Sequence, residues 1–292
     1  MSGMTEDPWR IGELDLQGYL SRTGVAARPP SVPALDELSR AHVLTFSFDN
    51  LDILLGQHPG VALAQVQEKF VGRGRGGYCF EHATLFAAVL ERLGYDVDRR
   101  LGRVGGADHA RTHMVLVVRV EGAERVVDVG IGWPPSASLP LVEGGEVEAD
   151  GWRYRVLPGA TREPSWAIER ATDEGWQTMH LFDELPVRPV DVAMGHHWTS
   201  THPDSHFTTG LSFGCLLPGE HVGVAREGDG FAVTTRRPDA PTQRRGVGWD
   251  EGVALLQELG NLSDEEIERL PVALDMAAGT HCGSGTRTKW GR

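Results

Sequence analysis

Apolar residues in the first third of the chain recur at steps of three and four, which is the spacing of amphipathic helices. One short helical stretch, with Tyr19 and Leu20 on its apolar face, is predicted to end at Gly24, and Ser31 is placed to cap the start of a second helix. The strongest pattern covers residues 79–93 and is followed by a glycine suited to the left-handed turn that ends helices. Its apolar stripe consists of Leu85, Phe86, Val89, Leu90 and Leu93.

From Tyr95 onward the pattern changes to short runs rich in β-branched residues, separated by Gly, Glu or Pro turns. Strands that follow one another so closely predict an antiparallel sheet or a small barrel. The central runs are HMVLVVRV (113–120), RVVDVGIG (125–132), WRYRVLP (152–158) and SWAIER (165–170). After about residue 208 we predict further strands (LSFGCLL, EHVGVAR, GFAVTTR) and then helices near 249–259 and 263–270. The polar tail from about Gly279 is predicted to be disordered.

Composition narrows the possible functions. The 292-residue chain carries a formal net charge of −13, which argues against a broad nucleic-acid surface but leaves room for a local phosphate site. Its three cysteines, Cys79, Cys215 and Cys282, form no CxxC pair, so neither a disulfide framework nor a cysteine-rich zinc site is predicted. The N-terminal segment lacks the apolar core of a secretory signal, and no apolar run is long enough to cross a bilayer. We therefore expect a reducing, cytoplasmic location and no membrane attachment.

The segment RGRGGYCFEH (73–82) places a cysteine directly after a glycine-rich turn and at the start of the strongest helix. The positive potential and free N–H groups of a helix N terminus favour thiolate over thiol, and the same groups can bind an oxyanion. Cys79 is therefore a candidate nucleophile, although a buried structural cysteine fits its helix position equally well. Cys215, within an apolar strand, is predicted to be a core residue.

A thiolate nucleophile needs an imidazole partner and a group that orients the imidazole. His113 begins one predicted strand and Asp128 lies on the next, with a tight Glu-Gly-Ala turn between the strands. A hairpin with this turn is predicted to place the two side chains level with each other on one face. Spacing alone, however, favours two ordinary strand residues over a functional pair.

Two further motifs carry weaker signals. Gly72, Gly74 and Gly77 match the dinucleotide-binding pattern G-x-G-x-x-G, but the preceding segment is predicted to be a helix rather than the required strand. The segment HHWTSTHPDSHF (196–207) is rich in histidine, yet its spacing matches no recognised zinc pattern, and no helix is predicted to place these histidines on one face. We therefore predict a loop between domains there, and no bound metal.

Five segments resemble the signature segments of the arylamine N-acetyltransferases, in the right order over roughly residues 10–270. They are SFDNLD (47–52), RGGYCFE (75–81), THMVLVV (112–118), DVGIG (128–132) and TSTHPDSHF (199–207). The resemblance implies an α+β, papain-like cysteine acyltransferase fold in three parts, namely an N-terminal helical bundle, a central β-barrel and a C-terminal α/β lid. On this chain the three parts would cover residues 1–94, 95–207 and 208–292.

The same resemblance implies a catalytic triad of Cys79, His113 and Asp128. Acetyl-CoA would be the acyl donor, and no metal would take part. The thiolate of Cys79 would take the acetyl group, and an arylamine, hydrazine or arylhydroxylamine would then accept it in a second step. His113 would handle the protons, and Asp128 would fix its tautomer and support its charge.

The resemblance also implies contact residues for both substrates. Thr112, Gly130 and Phe207 would lie along the path of the CoA cosubstrate. Phe48, Ile131 and again Phe207 would line the pocket of the small-molecule acceptor. These assignments rest on matching positions in the family pattern, whereas the arguments for Cys79 also rest on the chemistry of a helix N terminus.

The chain departs from the family pattern at three positions. Ile131 stands where the family usually has Phe, which removes one aromatic wall, while Ala83 replaces a usual Asn and Asp49 a usual Glu. None of the three belongs to the triad, so they bear on acceptor preference. Rival interpretations are an amide synthase of the same fold that releases or cyclises a polyketide chain, a cysteine peptidase or transglutaminase, and a non-catalytic binding protein. The missing Cys-Gly-Ser-Cys-Trp signature counts against the peptidase, and an intact triad counts against the binding protein.

Overall fold

Helices occupy the two ends of the chain and strands much of its middle in the computed structural model, which describes residues 7–160 and 165–279. Beyond Gly279, the predicted disordered tail lies outside the described residues. The helices are α1 (Leu16–Thr23), α2 (Val32–Thr45), α3 (Leu51–Leu54), α4 (Leu63–Gln67), α5 (Cys79–Arg92), α6 (Pro189–Thr201), α7 (His206–Thr209), α8 (Trp249–Gly260) and α9 (Asp264–Gly279). None of these helices is long and apolar enough to pass through a bilayer.

Local signals explain where the first helices begin and end. Ser31 is the N-cap of α2, and its hydroxyl oxygen accepts a hydrogen bond from the N–H of Ala34 at 3.3 Å. Gly24 and Gly94, just after α1 and α5, adopt positive φ angles of 71° and 93°. These three positions confirm the predicted helix boundaries.

Helix α5 is the central element of the core. Every side chain from residue 79 to residue 90 is buried, because the helix packs against α1 and α4 on one side and the strands of the barrel on the other. The buried residues include the polar Glu81, His82 and Thr84, so the predicted stripe describes only the most apolar face of the helix. The nucleophile candidate at its first position is thereby held by an element packed on both sides.

Two antiparallel sheets contain the strands of the described residues. The strands are β1 (Phe48–Asp49), β2 (Asp96–Val104), β3 (His113–Val120), β4 (Ala123–Val127), β5 (Leu139–Pro140), β6 (Gly145–Ala149), β7 (Trp152–Pro158), β8 (Ser165–Thr172), β9 (Gly175–Asp183), β10 (Phe213–Leu217), β11 (Glu220–Glu227), β12 (Gly230–Arg237) and β13 (Ala240–Val247). The eight-stranded sheet has the order β5-β4-β3-β2-β9-β8-β7-β6, and the five-stranded sheet has the order β1-β10-β11-β12-β13.

The larger sheet curls until its two edges almost meet. A Cβ atom added to Gly145, at the start of β6, would lie only 2.4 Å from the carbonyl oxygen of Pro140, at the end of β5. The sheet is therefore a nearly closed barrel, and with the helices on either side it confirms the predicted α+β architecture. The boundaries predicted at residues 94 and 207 remain predictions.

Strand β1 was not predicted from the sequence. Phe48 and Asp49 pair with Gly214 and Phe213 of β10, so two residues from the N-terminal region complete the C-terminal sheet. A two-residue strand is too short to carry a period-two pattern. Phe48 also forms an isolated parallel bridge with Gly77, which brings the C-terminal sheet next to the turn before α5.

The segment 196–207 differs from the prediction. Residues 196–201 belong to α6, and a second short helix, α7, follows, so the predicted loop is wrong. The start signals of α6 are present upstream, because Pro189 occupies its first turn and the Asp191 carboxylate accepts the N–H of Arg188 at 2.7 Å. The helix predicted near 263–270 is also longer than expected and continues to the end of the described residues.

A buried ion network supports the segment that leads into α5. The Lys69 ammonium donates to both carboxylate oxygens of Glu81, at 2.8 and 3.1 Å, and it lies 3.5 Å from Asp52. Glu81 also accepts the N–H of Tyr78 at 3.1 Å, directly before the helix. Burial alone raises the pKa of Glu81, but Lys69 and His58 outweigh it and lower this pKa to about 2. The carboxylate therefore stays ionised and fixes the first turn of α5.

We expect the substitution Lys69→Met to destabilise the fold by about 3–5 kcal/mol, because it leaves the carboxylate of Glu81 buried without its main counter-charge. The free energy of unfolding in urea measures this loss. The matched control is Arg28→Met, which breaks an exposed ion pair with Glu37 and should cost about 1 kcal/mol or less. Equal effects of the two substitutions would contradict a structural role for the buried network.

Candidate active site

Cys79 occupies the first position of α5, as predicted from the sequence. Tyr78 before it is extended, and the glycines of the preceding turn pack tightly against the chain near β1. A Cβ atom at Gly76 would lie 1.9 Å from the carbonyl oxygen of Ser47, a distance that no side chain tolerates. The turn is rich in glycine because its backbone lies against that of another segment, where a side chain would not fit. Cys79 therefore begins the helix beside the free N–H groups of the helix N terminus.

The thiol of Cys79 lies against two backbone segments of the barrel. Its Sγ donates to the carbonyl oxygen of Thr112 at 3.3 Å, and the residue is only 3% exposed. The chain of Gly130 passes so close that an added Cβ atom would lie 2.9 Å from both Cα and O of Cys79. Two of the residues predicted to lie on the cosubstrate path, Thr112 and Gly130, are thus direct neighbours of the candidate nucleophile.

His113 and Asp128 meet at the end of the β3–β4 hairpin. The ring atom Nε2 of His113 lies 2.9 Å from Oδ2 of Asp128, and both side chains are buried. The predicted pair is present, but the predicted register is wrong by two residues. Strand β4 ends at Val127, which pairs with Leu116, so extension of this register would place residue 130, not Asp128, opposite His113. Asp128 lies just beyond its strand and reaches His113 diagonally.

A third residue, which the sequence analysis missed, completes this cluster. His180, on β9, is fully buried, and its Nε2 lies 2.7 Å from the same Oδ2 atom of Asp128. The rings of His113 and His180 are 4.5 Å apart between centroids. In the sequence this residue stands out only as a histidine among apolar residues near the end of β9, and it belongs to no recognised motif. The pairing of β9 with β2, two strands distant in sequence, is what brings the residue to the site.

The electrostatics of the cluster favour a charged imidazole. Burial alone lowers the pKa of His113, but the neighbouring carboxylate of Asp128, together with Cys79, raises it to about 10. Burial raises the pKa of Asp128, but the charges and hydrogen bonds of His113 and His180 reverse this and hold it far below its usual value. Burial and repulsion from His113 lower the pKa of His180. At neutral pH the site therefore contains a carboxylate, an imidazolium and a neutral imidazole.

These three residues are also the one group of potential metal ligands found in the described part of the chain, with ligand atoms within 4.8 Å of one another. Both Nε2 atoms already hydrogen-bond to the carboxylate that would share the ion, and His113 is protonated at neutral pH. A protonated imidazole has no lone pair for a metal at that position. The histidines of segment 196–207 do not form such a group.

Aromatic rings cluster around Tyr78, the residue before the candidate nucleophile. The Phe207 ring lies 5.4 Å from that of Tyr78 and 6.0 Å from that of Phe48, measured between centroids. Phe48 also faces Gly132, where an added Cβ atom would lie 3.5 Å from its ring. Ile131 packs instead against the apolar interior of the barrel. The structure thus brings together Phe48 and Phe207 but not Ile131 among the residues predicted to line the acceptor pocket.

Helix α6 contributes one more contact, to the residue that precedes Cys79. The hydroxyl of Tyr78 forms a hydrogen bond with Nδ1 of His196, whose pKa is lowered to about 4 by burial and by the nearby His58. The ring of His196 lies 4.6 Å from that of His58, which in turn contacts the buried Glu81 at 3.2 Å. This residue of the histidine-rich segment therefore packs against the aromatic rings beside the turn that precedes Cys79.

A cysteine at a helix N terminus, opposite a charged histidine and a buried carboxylate on a barrel, defines the class of cysteine-dependent acyl-transfer enzymes with a papain-like arrangement. Comparison with known proteins specifies the family. Residues 31–259 match the family model described as N-acetyltransferase. The arylamine N-acetyltransferase of Mycolicibacterium smegmatis is 36% identical over 90% of this chain and 99% of its own length.

Solved structures agree with this match. The arylamine N-acetyltransferase of Mycobacterium abscessus superposes with a TM-score of 0.84 at 30% identity, over 91% of this chain and 97% of the other. That of Mycobacterium marinum in complex with CoA gives a TM-score of 0.81 at 30% identity, over 90% and 99%. The chain belongs to the arylamine N-acetyltransferase family, which confirms the resemblance seen in its five segments.

We expect Asp128→Asn to lower the pKa of His113 well below its wild-type value of about 10, because burial would then be opposed by Cys79 without the carboxylate. An NMR titration of the His113 ring measures the shift. The matched control is Asp183→Asn, which removes a carboxylate paired with Arg111 on the same barrel and should leave His113 protonated at neutral pH. A His113 ring that still titrates near its wild-type value in Asp128→Asn would contradict the assigned electrostatics.

Proposed function

We propose that this protein transfers an acetyl group from acetyl-CoA to an arylamine, hydrazine or arylhydroxylamine through an acetyl-Cys79 intermediate. The observation that carries the proposal is the charged His113–Asp128 pair held beside a thiol at the start of α5. The names of the relatives, all arylamine N-acetyltransferases among those compared above, support acetyl transfer over the amide synthase and peptidase alternatives.

In the first half-reaction the sulfur of Cys79, as thiolate, attacks the thioester carbonyl carbon of acetyl-CoA. A new C–S bond forms to Cys79, the bond to the CoA sulfur breaks, and CoA leaves with the proton of the His113 imidazolium. Backbone N–H groups in the first turn of α5 are placed to stabilise the oxyanion that forms between these events. Thr112 and Gly130, which adjoin the thiol, are the residues past which the cosubstrate would enter.

In the second half-reaction the nitrogen of the acceptor attacks the acetyl carbonyl on Cys79. His113, now neutral, takes the proton that the nitrogen loses, and the thiolate leaves with the electrons of the C–S bond. The free enzyme returns with its imidazolium and thiolate. Asp128 stays ionised throughout and orients the ring, while His180 holds the carboxylate from its other side as a positioning residue.

The same chemistry supports a cytoplasmic location. Cys79 and Cys215 are both unpaired in the structure, and the proposed nucleophile must be reduced to react. A compartment that keeps thiols reduced meets this requirement.

Mixing the protein with acetyl-CoA should produce a single acetyl adduct on Cys79, visible by mass spectrometry of peptides, and addition of an aniline or hydrazine should remove it. Cys79→Ala should give no adduct. The matched control is Cys215→Ala, since burial raises the pKa of the Cys215 thiol to about 11 and leaves it unreactive at neutral pH. An adduct that persists in Cys79→Ala, or disappears in Cys215→Ala, would refute the assignment of the nucleophile.

His113→Ala should slow formation of acetyl-Cys79 by about 10²–10⁴-fold, because both the ion pair and the proton donor for the leaving CoA are lost. The rate is measured by rapid quench after mixing with acetyl-CoA. His202→Ala, at an exposed histidine outside the site, is the control and should react at the wild-type rate. Equal rates for His113→Ala and the wild type would exclude His113 as the partner of the thiol.

A further inference from the structure

Tyr78, the residue before the candidate nucleophile, is held both at its backbone and at its side chain. Its N–H donates to Oε2 of Glu81 at 3.1 Å, which fixes the main chain where it enters α5. Its hydroxyl forms a hydrogen bond with Nδ1 of His196, which lies on α6 and is 118 residues further along the chain. The ring between these two contacts is fully buried. Tyr78 therefore connects the start of the nucleophile helix to a helix that is distant in sequence.

His58 joins the two partners of Tyr78 to each other. Its Nδ1 accepts the N–H of Gly60 at 3.0 Å, so the neutral ring carries its hydrogen on Nε2. This Nε2 atom lies 3.2 Å from Oε2 of Glu81. The His58 ring also lies 4.6 Å from the ring of His196, measured between centroids. Tyr78, Glu81, His58 and His196 thus form a closed ring of contacts, which we call the Tyr78 network.

Helix α6 also packs against the residue that follows the nucleophile. A Cβ atom added to Gly195 would lie only 2.6 Å from Cζ of Phe80, so the backbone of α6 touches this ring directly. Phe80 is fully buried, as Tyr78 is. Because Gly195 and His196 are consecutive, a single turn of α6 contacts both residues that flank Cys79.

Different contacts fix the thiol and the N–H groups that would bind the oxyanion. Cys79 lies against Thr112 and Gly130 of the barrel. The first N–H groups of a helix have no partner within the helix, so their direction depends on how the chain enters it. The chain enters α5 through Tyr78, which is extended with φ −117° and ψ −175°. The Tyr78 network therefore bears on oxyanion binding more directly than on the ion pair between the thiol and His113.

We propose that His196 is a positioning residue for acetyl transfer, and that it holds Tyr78 and the oxyanion-binding N–H groups of α5 in the geometry that the reaction needs. The inference rests on the proposed function and adds a residue to it. Burial and the neighbouring His58 lower the pKa of His196 to about 4, so the ring is neutral at neutral pH and brings no positive charge to the network. Its contribution is therefore geometric, and stabilisation of an oxyanion depends strongly on the distance to its donors.

The test compares two reactions of the same thiol. Acetylation by acetyl-CoA passes through an oxyanion, whereas alkylation by iodoacetamide requires only the thiolate. In His196→Phe, which keeps a ring but removes Nδ1, formation of acetyl-Cys79 at saturating acetyl-CoA should slow at least about tenfold. Alkylation of Cys79 should stay within about twofold of the wild-type rate, because the ion pair is intact. His196→Asn, which places a polar atom near the position of Nδ1, should restore most of the acetylation rate.

A double-mutant cycle tests whether the effect passes through Tyr78. Tyr78→Phe removes only the hydroxyl and should slow acetylation about as much as His196→Phe does. The double variant should be no slower than either single variant, because both substitutions break the same hydrogen bond. Losses that multiply in the double variant would overturn the inference. Tyr78→Phe, compared with the wild type in both reactions, gives the same test if His196→Phe does not fold.

The matched control is His197→Phe, at the next residue of α6, where the side chain is exposed and the acetylation rate should not change. A wild-type acetylation rate in a folded His196→Phe protein would disprove the positioning role. So would an equal slowing of acetylation and alkylation, which would indicate a general disturbance around the thiol. Failure of the wild-type protein to form acetyl-Cys79 at all would instead refute the proposed function, so the two failures are distinguishable.

Discussion

A carboxylate buried beneath two imidazole rings is the interaction on which the site depends. Burial alone would neutralise Asp128, and burial alone would also remove the proton from His113. Each group stays charged because the other is within hydrogen-bond distance. Neither charge would therefore persist in this buried site without its partner. His180 adds a neutral donor to the same oxygen, which lets the carboxylate remain ionised without a second positive charge.

This mutual dependence constrains the whole barrel. The three side chains come from the start of β3, the residue after β4 and the end of β9, and β9 joins the site because it pairs with β2 in the middle of the sheet. The thiol comes from a different layer, the fully buried helix α5, whose first turn is fixed by Glu81 and the network around Lys69. The geometry of the site therefore depends on the packing between a helix and a barrel, with Thr112, Asp128 and Gly130 contributed by residues just outside the strands.

Local patterns predicted much of this arrangement. The end of α1, the start of α2 and the limits of α5 follow from caps and glycines, and β3 has the predicted bounds 113–120 because its apolar content is high. What failed depended on contacts distant in sequence. The register of the β3–β4 hairpin was predicted from turn length alone. No local sequence signal indicates that the strand ends before Asp128. His180 and strand β1 are recognisable only from the pairing of strands distant in sequence, β9 with β2 and β1 with β10.

Strand β1 has a consequence for how the protein is made. Its two residues belong to the first fifth of the chain, yet their partner strand β10 begins at Phe213, so the pairing must wait until most of the polypeptide has left the ribosome. Until then the turn that precedes Cys79, which Phe48 contacts through Gly77, stays exposed to solvent and to other nascent chains. The turn before α5 is therefore completed late in the folding of this enzyme, and a chain arrested before β10 is synthesised would lack the strand that fixes Phe48 against Gly77.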